Sequence, residues 1–213
     1  MSCFHRHARL LLALISGIFA VLGTSACSRL GQTSEQAQVA HAFESWKNAM
    51  INQRTDQAMG YIPRHADDYL NALNSSAGIP APAANAAPSS SPGVDLLLRT
   101  ALEKKVPAPL RFNLTLGTLM QRITDRHLFN PREVREISLG HVSINGNRAD
   151  AEVYYQGTLT ALHLPFVKEG DAWKIDVMAL LPYAEVLMRV DRAIKGETEA
   201  QQIDQLVSKL PSL

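Results

Sequence analysis

The sequence predicts an α+β fold: N-terminal helices packed on a four-stranded antiparallel sheet, with further helices at the C-terminal end. Three observations carry this expectation. Val39, Phe43, Trp46 and Met50 recur at i, i+4, i+7 and i+11, an apolar stripe at helical spacing. Residues 137–178 then switch to short apolar segments punctuated by Asn145-Gly146, by Gly157 and by Glu169-Gly170-Asp171. Beyond Pro182, helical patterning resumes and continues towards residue 210. Helices followed by an unbroken run of strands argue for segregated layers, not for alternating βαβ units.

The first helix is expected from residue 39, with Ser34 placed to cap it and Glu35 and Gln36 adding negative character at its start. Glu44, Lys47, Asn48 and Gln53 fall off its apolar stripe. A short helical piece over 56–62 ends at Pro63, and another covers about 65–73. Asp67-Asp68 reads as a solvated helix face. Residues 74–93, NSSAGIPAPAANAAPSSSPG, hold four prolines and almost no apolar bulk, and so read as a loop inserted in one domain. Residues 95–105 are helical until Pro107 and Pro109 intervene. Residues 115–126 resume helical spacing, with Leu116, Leu119, Met120 and Ile123 on one side.

The sheet is expected as one continuous meander. Ile137 and Leu139, then Val142 and Ile144, alternate with a phase slip at Gly140-His141, the mark of a β-bulge. Asn145-Gly146 is a strong hairpin signal because its turn positions favour positive φ. Residues 148–156 return, 159–168 form a third strand, and 172–178 form a fourth. Helices over about 182–195 and 199–210 close the chain.

The amino end points to export. Arg6 and Arg9 precede thirteen uncharged, largely apolar residues, LLLALISGIFAVL at 10–22, the layout of a secretory signal. A bilayer span needs roughly 20 apolar residues, so a retained transmembrane helix is the lesser reading. Gly23-Thr24-Ser25-Ala26 then leads into Cys27. Small residues immediately before a cysteine resemble the lipobox of bacterial lipoproteins, although Thr24 stands where leucine is commonest. The resemblance implies cleavage after residue 26 and lipid attachment at Cys27, with two or more acyl chains giving stable anchoring. The other reading is a plain secretory cut near Ala26. Residues 1–26 are thus expected as signal, 27–38 as a tether, and 39–213 as one domain. Ser28 after the cysteine resembles the outer-membrane sorting pattern, which implies the periplasmic side of that membrane.

Composition narrows the function classes. The chain has 21 basic and 20 acidic residues, and loss of Arg6 and Arg9 leaves 19 against 20. That balance, without a basic run, does not suit a nucleic-acid binder. Of the two cysteines, Cys3 would leave with the signal and Cys27 would carry lipid. Nothing then remains for a disulfide, a thiolate metal site or thiol catalysis. His41, His65, His127, His141 and His163 form no i, i+4 pair, so no metal site is expected. No nucleophile elbow or phosphate loop occurs, and no catalytic residue or cofactor is assigned.

The aromatic helix with Phe43 and Trp46, followed by hairpins ending Phe166-Val-Lys-Glu-Gly-Asp-Ala-Trp173-Lys-Ile-Asp176, resembles the NTF2-like superfamily. The resemblance covers about 39–62 and 134–178. It implies a curved sheet and helices forming a cone, often with an apolar pocket, and often pairing into dimers. Strand parity puts Val153 and Tyr155 on the face towards the helices, with Leu162, Leu164 and Phe166, and with Trp173, Ile175 and Val177. Glu152, Tyr154, His163, Lys174 and Asp176 would face away. Phe43, Trp46, Tyr155, Phe166 and Trp173 would then line a ligand pocket, or simply form core. Enzymes of the superfamily keep a carboxylate with a tyrosine or histidine in the pocket. Asp176 and His163 are expected on the wet side, which disfavours an isomerase or dehydratase. The leading expectation is a non-enzymatic, lipid-anchored envelope protein that binds another protein, an envelope component or a second copy of itself. Ile203, Leu206, Val207 and Leu210 are its candidate contact, unless they pack on the sheet. A small apolar ligand in the cone is the alternative.

Overall fold

The computed structural model describes residues 33–75, 91–111, 114–126 and 130–212. These divide into two compact units. The first comprises residues up to Pro63 together with Met120–Val177; the second comprises Arg64–Leu119 and Met178–Leu213. The expected α+β class is the observed one, with a four-stranded antiparallel sheet in the order β1-β2-β3-β4.

In the first unit, helix α1 (Ser34–Ile51) packs against strands β1 (Ile137–Asn145) and β4 (Ala172–Ile175). Its stripe behaves as expected: Val39, Phe43, Trp46 and Met50 are all buried. Its start does not. The helix begins at Ser34, inside the stretch expected as tether, and its cap is Thr33, not Ser34. Thr33 Oγ1 accepts from the Gln36 amide at 3.3 Å, and Gln36 Oε1 accepts from the Thr33 amide at 2.8 Å. This reciprocal capping box satisfies two helix-end donors at once. Gln36 also donates to Val142 O at 2.6 Å, and Lys168 meets Glu35 at 2.8 Å. The first turn is therefore fastened to the sheet.

The meander has the expected bulge, with pairing shifting between Leu139 and Val142. Its first turn is displaced by one residue. Asn145 pairs with Arg148, so the turn residues are Gly146 and Asn147, and Gly146 alone takes positive φ, at 60°. Between β2 (Arg148–Tyr155) and β3 (Thr158–Glu169), Gln156 and Gly157 both have positive φ, at 52° and 74°. Two such residues joining paired strands give the tight turn whose twist matches a hairpin.

Strand β4 ends at Ile175, three residues before the expected limit, and Val177–Leu180 form a 3-10 turn. Pro165 explains this. Asp176 N–H donates to Pro165 O at 2.9 Å, but proline has no N–H to return the second bond of that antiparallel pair. Helix α2 (Thr55–Met59) follows α1, and Ile175 N–H donates to Tyr61 O at 2.8 Å just beyond it.

The second unit is helical. Helices α3 (His65–Ser75) and α4 (Pro92–Lys105) overlap both ends of the expected 74–93 loop; residues 76–90 lie outside the described residues. A short helix α5 (Ala108–Arg111) includes Pro109. Helix α6 (Leu116–Asp125) follows, and Asp67, expected on a solvated face, accepts from the Leu116 amide at 2.7 Å. Leu70, Leu73, Leu102, Val106 and Leu114 form this unit's apolar cluster. After α7 (Pro131–Arg135) and the sheet of the first unit, the chain returns to the second unit as α8 (Leu181–Lys195) and α9 (Glu199–Lys209). Gly196, with φ 66°, ends α8, and a second capping box, Thr198 with Gln201, starts α9.

Candidate functional site

The five residues expected to line a pocket are divided by the structure. Phe43 and Phe166 are 1% exposed, Trp173 3% and Trp46 8%, whereas Tyr155 is half-buried. Phe43 and Trp46 meet with ring centroids 5.9 Å apart, and the Lys168 amine sits 5.6 Å from the Trp173 ring centroid. Neither Trp46 nor Trp173 has an acceptor for its buried indole N–H among the described residues. A buried donor left unpaired costs about 1–3 kcal/mol. The Thr55 hydroxyl, also buried, is in the same position.

An open depression of about 430 Å³ lies on the first unit, lined by Ser45, Ala49, Gln57, Gly60 and Tyr61. None of these was singled out by the sequence. The depression lies along α1 and α2, and its lining includes none of the five expected aromatic residues.

Lys47, placed off the apolar stripe by its spacing, is 8% exposed. Its Nζ donates to Ile137 O at 2.5 Å and lies 5.8 Å from the Phe43 ring centroid. Burial lowers its pKa from the ordinary 10.5, with the Glu44 and Glu136 charges opposing the shift. The amine serves the first carbonyl of β1, a role that periodicity alone cannot signal.

On the outer face of the sheet, His163 Nδ1 and Asp150 Oδ2 are 3.0 Å apart, with both side chains 54% exposed. That agrees with the expected orientation of His163. Asp176, expected on the wet side, is instead buried, at 9% exposure.

The second unit holds two polar arrangements that the sequence did not announce. Tyr69 donates a short hydrogen bond to buried Asp95 of α4. Burial, reinforced by that bond and by the Asp95 charge, raises the tyrosine pKa far above its ordinary 10.0. At the start of α4, the Val94 amide donates to Glu185 of α8 at 2.9 Å. Gly93 permits this approach, since a Cβ there would stand 3.0 Å from the Glu185 carboxylate and 2.8 Å from that of Glu199.

The C-terminal stripe packs through two of its members, on a helix that meets α4 and not on the sheet. Ile203 and Val207 are buried, while Leu206 and Leu210 are half-buried. Exposed large apolar side chains occur instead at Leu96 of α4, at Leu159 of β3 and, three along one helix, on α8. None of its fifteen residues is buried, and Val186, Val190 and Ile194 are 42%, 38% and 69% exposed. Its half-buried side carries Leu181, Tyr183, Leu187 and Met188 together with polar groups that are held in place. Gln202 of α9, 2% exposed, donates to Met188 O at 2.9 Å and to Asp191 at 3.1 Å. Arg192 adds contacts to Glu199 at 3.2 Å and to Gln202 at 3.5 Å. Both sides of the helix are therefore mixed: Val186, Val190 and Ile194 stand out beside Arg189 and Lys195, while Glu185, Asp191 and Arg192 are half-buried among apolar side chains.

Cys27 and the expected signal lie outside the described residues. Among the described residues, no group of three or more His, Cys, Asp or Glu side chains is placed to hold a metal, and no helix is long and apolar enough to cross a membrane. Compared with protein-family models, curated proteins and solved structures, the chain matches none.

Proposed function

We propose that the protein is a lipid-anchored, non-enzymatic component of a bacterial envelope, with an NTF2-like domain that works by surface contact and not by catalysis. The observation that carries the contact reading is α8, whose aliphatic ridge faces outward while its half-buried side is clamped by Gln202. Exposed side chains of this kind, aligned along one helix, mark interaction surfaces. The anchor reading rests on Ser25-Ala26-Cys27 after the apolar run at 10–22. The ordered helix begins at Ser34, so residues 28–33 alone separate the lipid from α1. Six residues reach at most about 20 Å, which keeps the start of α1 close to the membrane surface. The packing of α1 against a four-stranded meander supports the NTF2-like reading of the first unit.

A second reading, a small apolar ligand in the first unit, is favoured by the unpaired indole N–H groups of Trp46 and Trp173. A ligand that offers an acceptor to either would relieve a buried cost. Native mass spectrometry of protein taken from its own host would show that ligand as added mass, lost in Trp173→Ala.

The intact mass of the membrane-extracted protein, compared with Cys27→Ser, tests the leading reading. A chain beginning at residue 27 and carrying acyl mass, absent from the variant, is the expected result. An unacylated chain cut near Ala26 would contradict the anchor and leave a free exported protein.

A further inference from the structure

We infer that the outward face of α8 is seated on an anionic lipid surface, a reading that rests on the proposed anchor and names what its contact helix touches. The argument begins with which side chains of α8 are exposed. They are Pro182, Val186, Arg189, Val190, Ala193, Ile194 and Lys195. Three are aliphatic ridge residues at i, i+4 and i+8. The only charged ones, Arg189 and Lys195, are both basic. The acids of the helix are withdrawn: Glu185 receives the Val94 amide, and Asp191 receives Gln202 and Lys195. Arg189 forms no ion pair among the described residues.

This combination separates a lipid surface from other occupants. An apolar strip whose rim carries an unpaired arginine, Arg189, and whose acids are held by other groups fits a helix lying in the membrane interface, with aliphatics entering the acyl boundary and the guanidinium meeting headgroup phosphates, while Lys195 is paired with Asp191 at 2.7 Å. A self-pairing helix or an acidic and basic protein partner would gain from acids at the rim, and here both acids are committed elsewhere. The ridge is short, so its contact is weak in isolation. Lipid on Cys27 changes that, because a tethered contact forms at a high effective concentration. The polar clamp by buried Gln202 holds the ridge outward before any lipid is met, so seating requires no refolding of α8.

The test places a polarity-sensitive thiol label at Ile194→Cys, and at Gln201→Cys on α9 as an exposed control. The extracted chain is reconstituted into phosphatidylethanolamine–phosphatidylglycerol vesicles carrying doxyl-labelled lipid, and separately into phosphatidylcholine vesicles. Quenching several-fold greater at 194 than at 201, stronger with phosphatidylglycerol and reduced by Arg189→Glu with Val190→Asp, is the expected result. Equal quenching at the two positions would overturn the inference while leaving the anchor intact. Disulfide formation between Ile194→Cys chains without vesicles would assign the ridge to a second copy and overturn it as well. Should the mass at Cys27 show no acyl chain, the anchor fails by itself. The tethered seating of α8 then falls with it, a failure distinct from equal quenching at the two positions in an acylated chain.

Discussion

In the first unit, the aromatic side chains of α1, β3 and β4 turn inward, and the charged ones mostly turn to water. In the second, a leucine cluster with Ile203 and Val207 is accompanied by buried Gln202 and half-buried Glu185, Asp191 and Arg192 on α8 and α9, and Val186, Val190 and Ile194 of α8 are exposed. The first arrangement gains stability from area removed from water. The second exchanges part of that gain for hydrogen bonds, and a buried polar group contributes only while its partners stay in place. The comparison teaches that apolar periodicity identifies a helix but not which way its stripe will point.

Both tryptophans, Trp46 and Trp173, lie in the first unit, so their fluorescence follows that unit while far-ultraviolet circular dichroism follows both. The largest effect is expected from Phe43→Ala, at about 3–5 kcal/mol for a core aromatic. Denaturant unfolding read by tryptophan fluorescence should show it, and a loss under 1 kcal/mol would mean that the site relaxes as a surface does.

Gln202→Ala should cost about 1–3 kcal/mol, because it removes the side-chain donor to Met188 O and one of the donors to Asp191. This loss should appear in the dichroism transition and not in the fluorescence transition. Equal shifts in both would break the contrast between the units. Thr33→Ala, which removes one half of the first capping box, should cost about 1 kcal/mol and shift the fluorescence transition.

Alkali should act on the two units with opposite signs. Lys47 has a lowered pKa in the folded chain, so the unfolded chain binds more protons between that value and 10.5. Its burden on the first unit is present below that window and is relieved as pH rises through it. Tyr69 has a raised pKa, so above 10.0 the folded chain keeps a proton that the unfolded chain loses. The second unit therefore loses stability as pH rises beyond 10, and Tyr69→Phe should reduce that limb in dichroism-monitored melts, leaving the part due to Lys195, whose hydrogen bond to Asp191 raises its pKa. The smallest effect is expected from Ile194→Ser, within about 0.5 kcal/mol, since that residue is already 69% exposed. A larger loss would show that the ridge is covered in solution.

Much of the first unit was legible in its residues. The stripe of α1, the bulge at Gly140-His141 and the meander all followed from spacing and turn chemistry. Two further signals were present and misread. Thr33-Ser-Glu-Gln36 is a capping box in plain sequence, yet Ser34 was taken as the cap. Pro165 marks where β4 stops, and Asp176 just beyond that point is buried where an exposed residue is expected. Lys47 and Asp67 were illegible for another reason: their partners, Ile137 O and the Leu116 amide, are backbone groups 90 and 49 residues away. The α8 ridge belongs to the same class. Its direction is set by Gln202 on another helix, and no local pattern contains that choice.

The central claim is that α8 is the working face of the protein. Hydroxyl-radical footprinting, read by mass spectrometry on purified protein and on protein in its own envelope, tests it most directly. In purified protein, Val186, Val190 and Ile194 should label strongly while Phe43 and Phe166 stay unmodified. In the envelope, the three ridge residues should become protected by several-fold, with exposed residues such as Gln201 unchanged. Labelling of the ridge at equal rates in both settings would contradict the account.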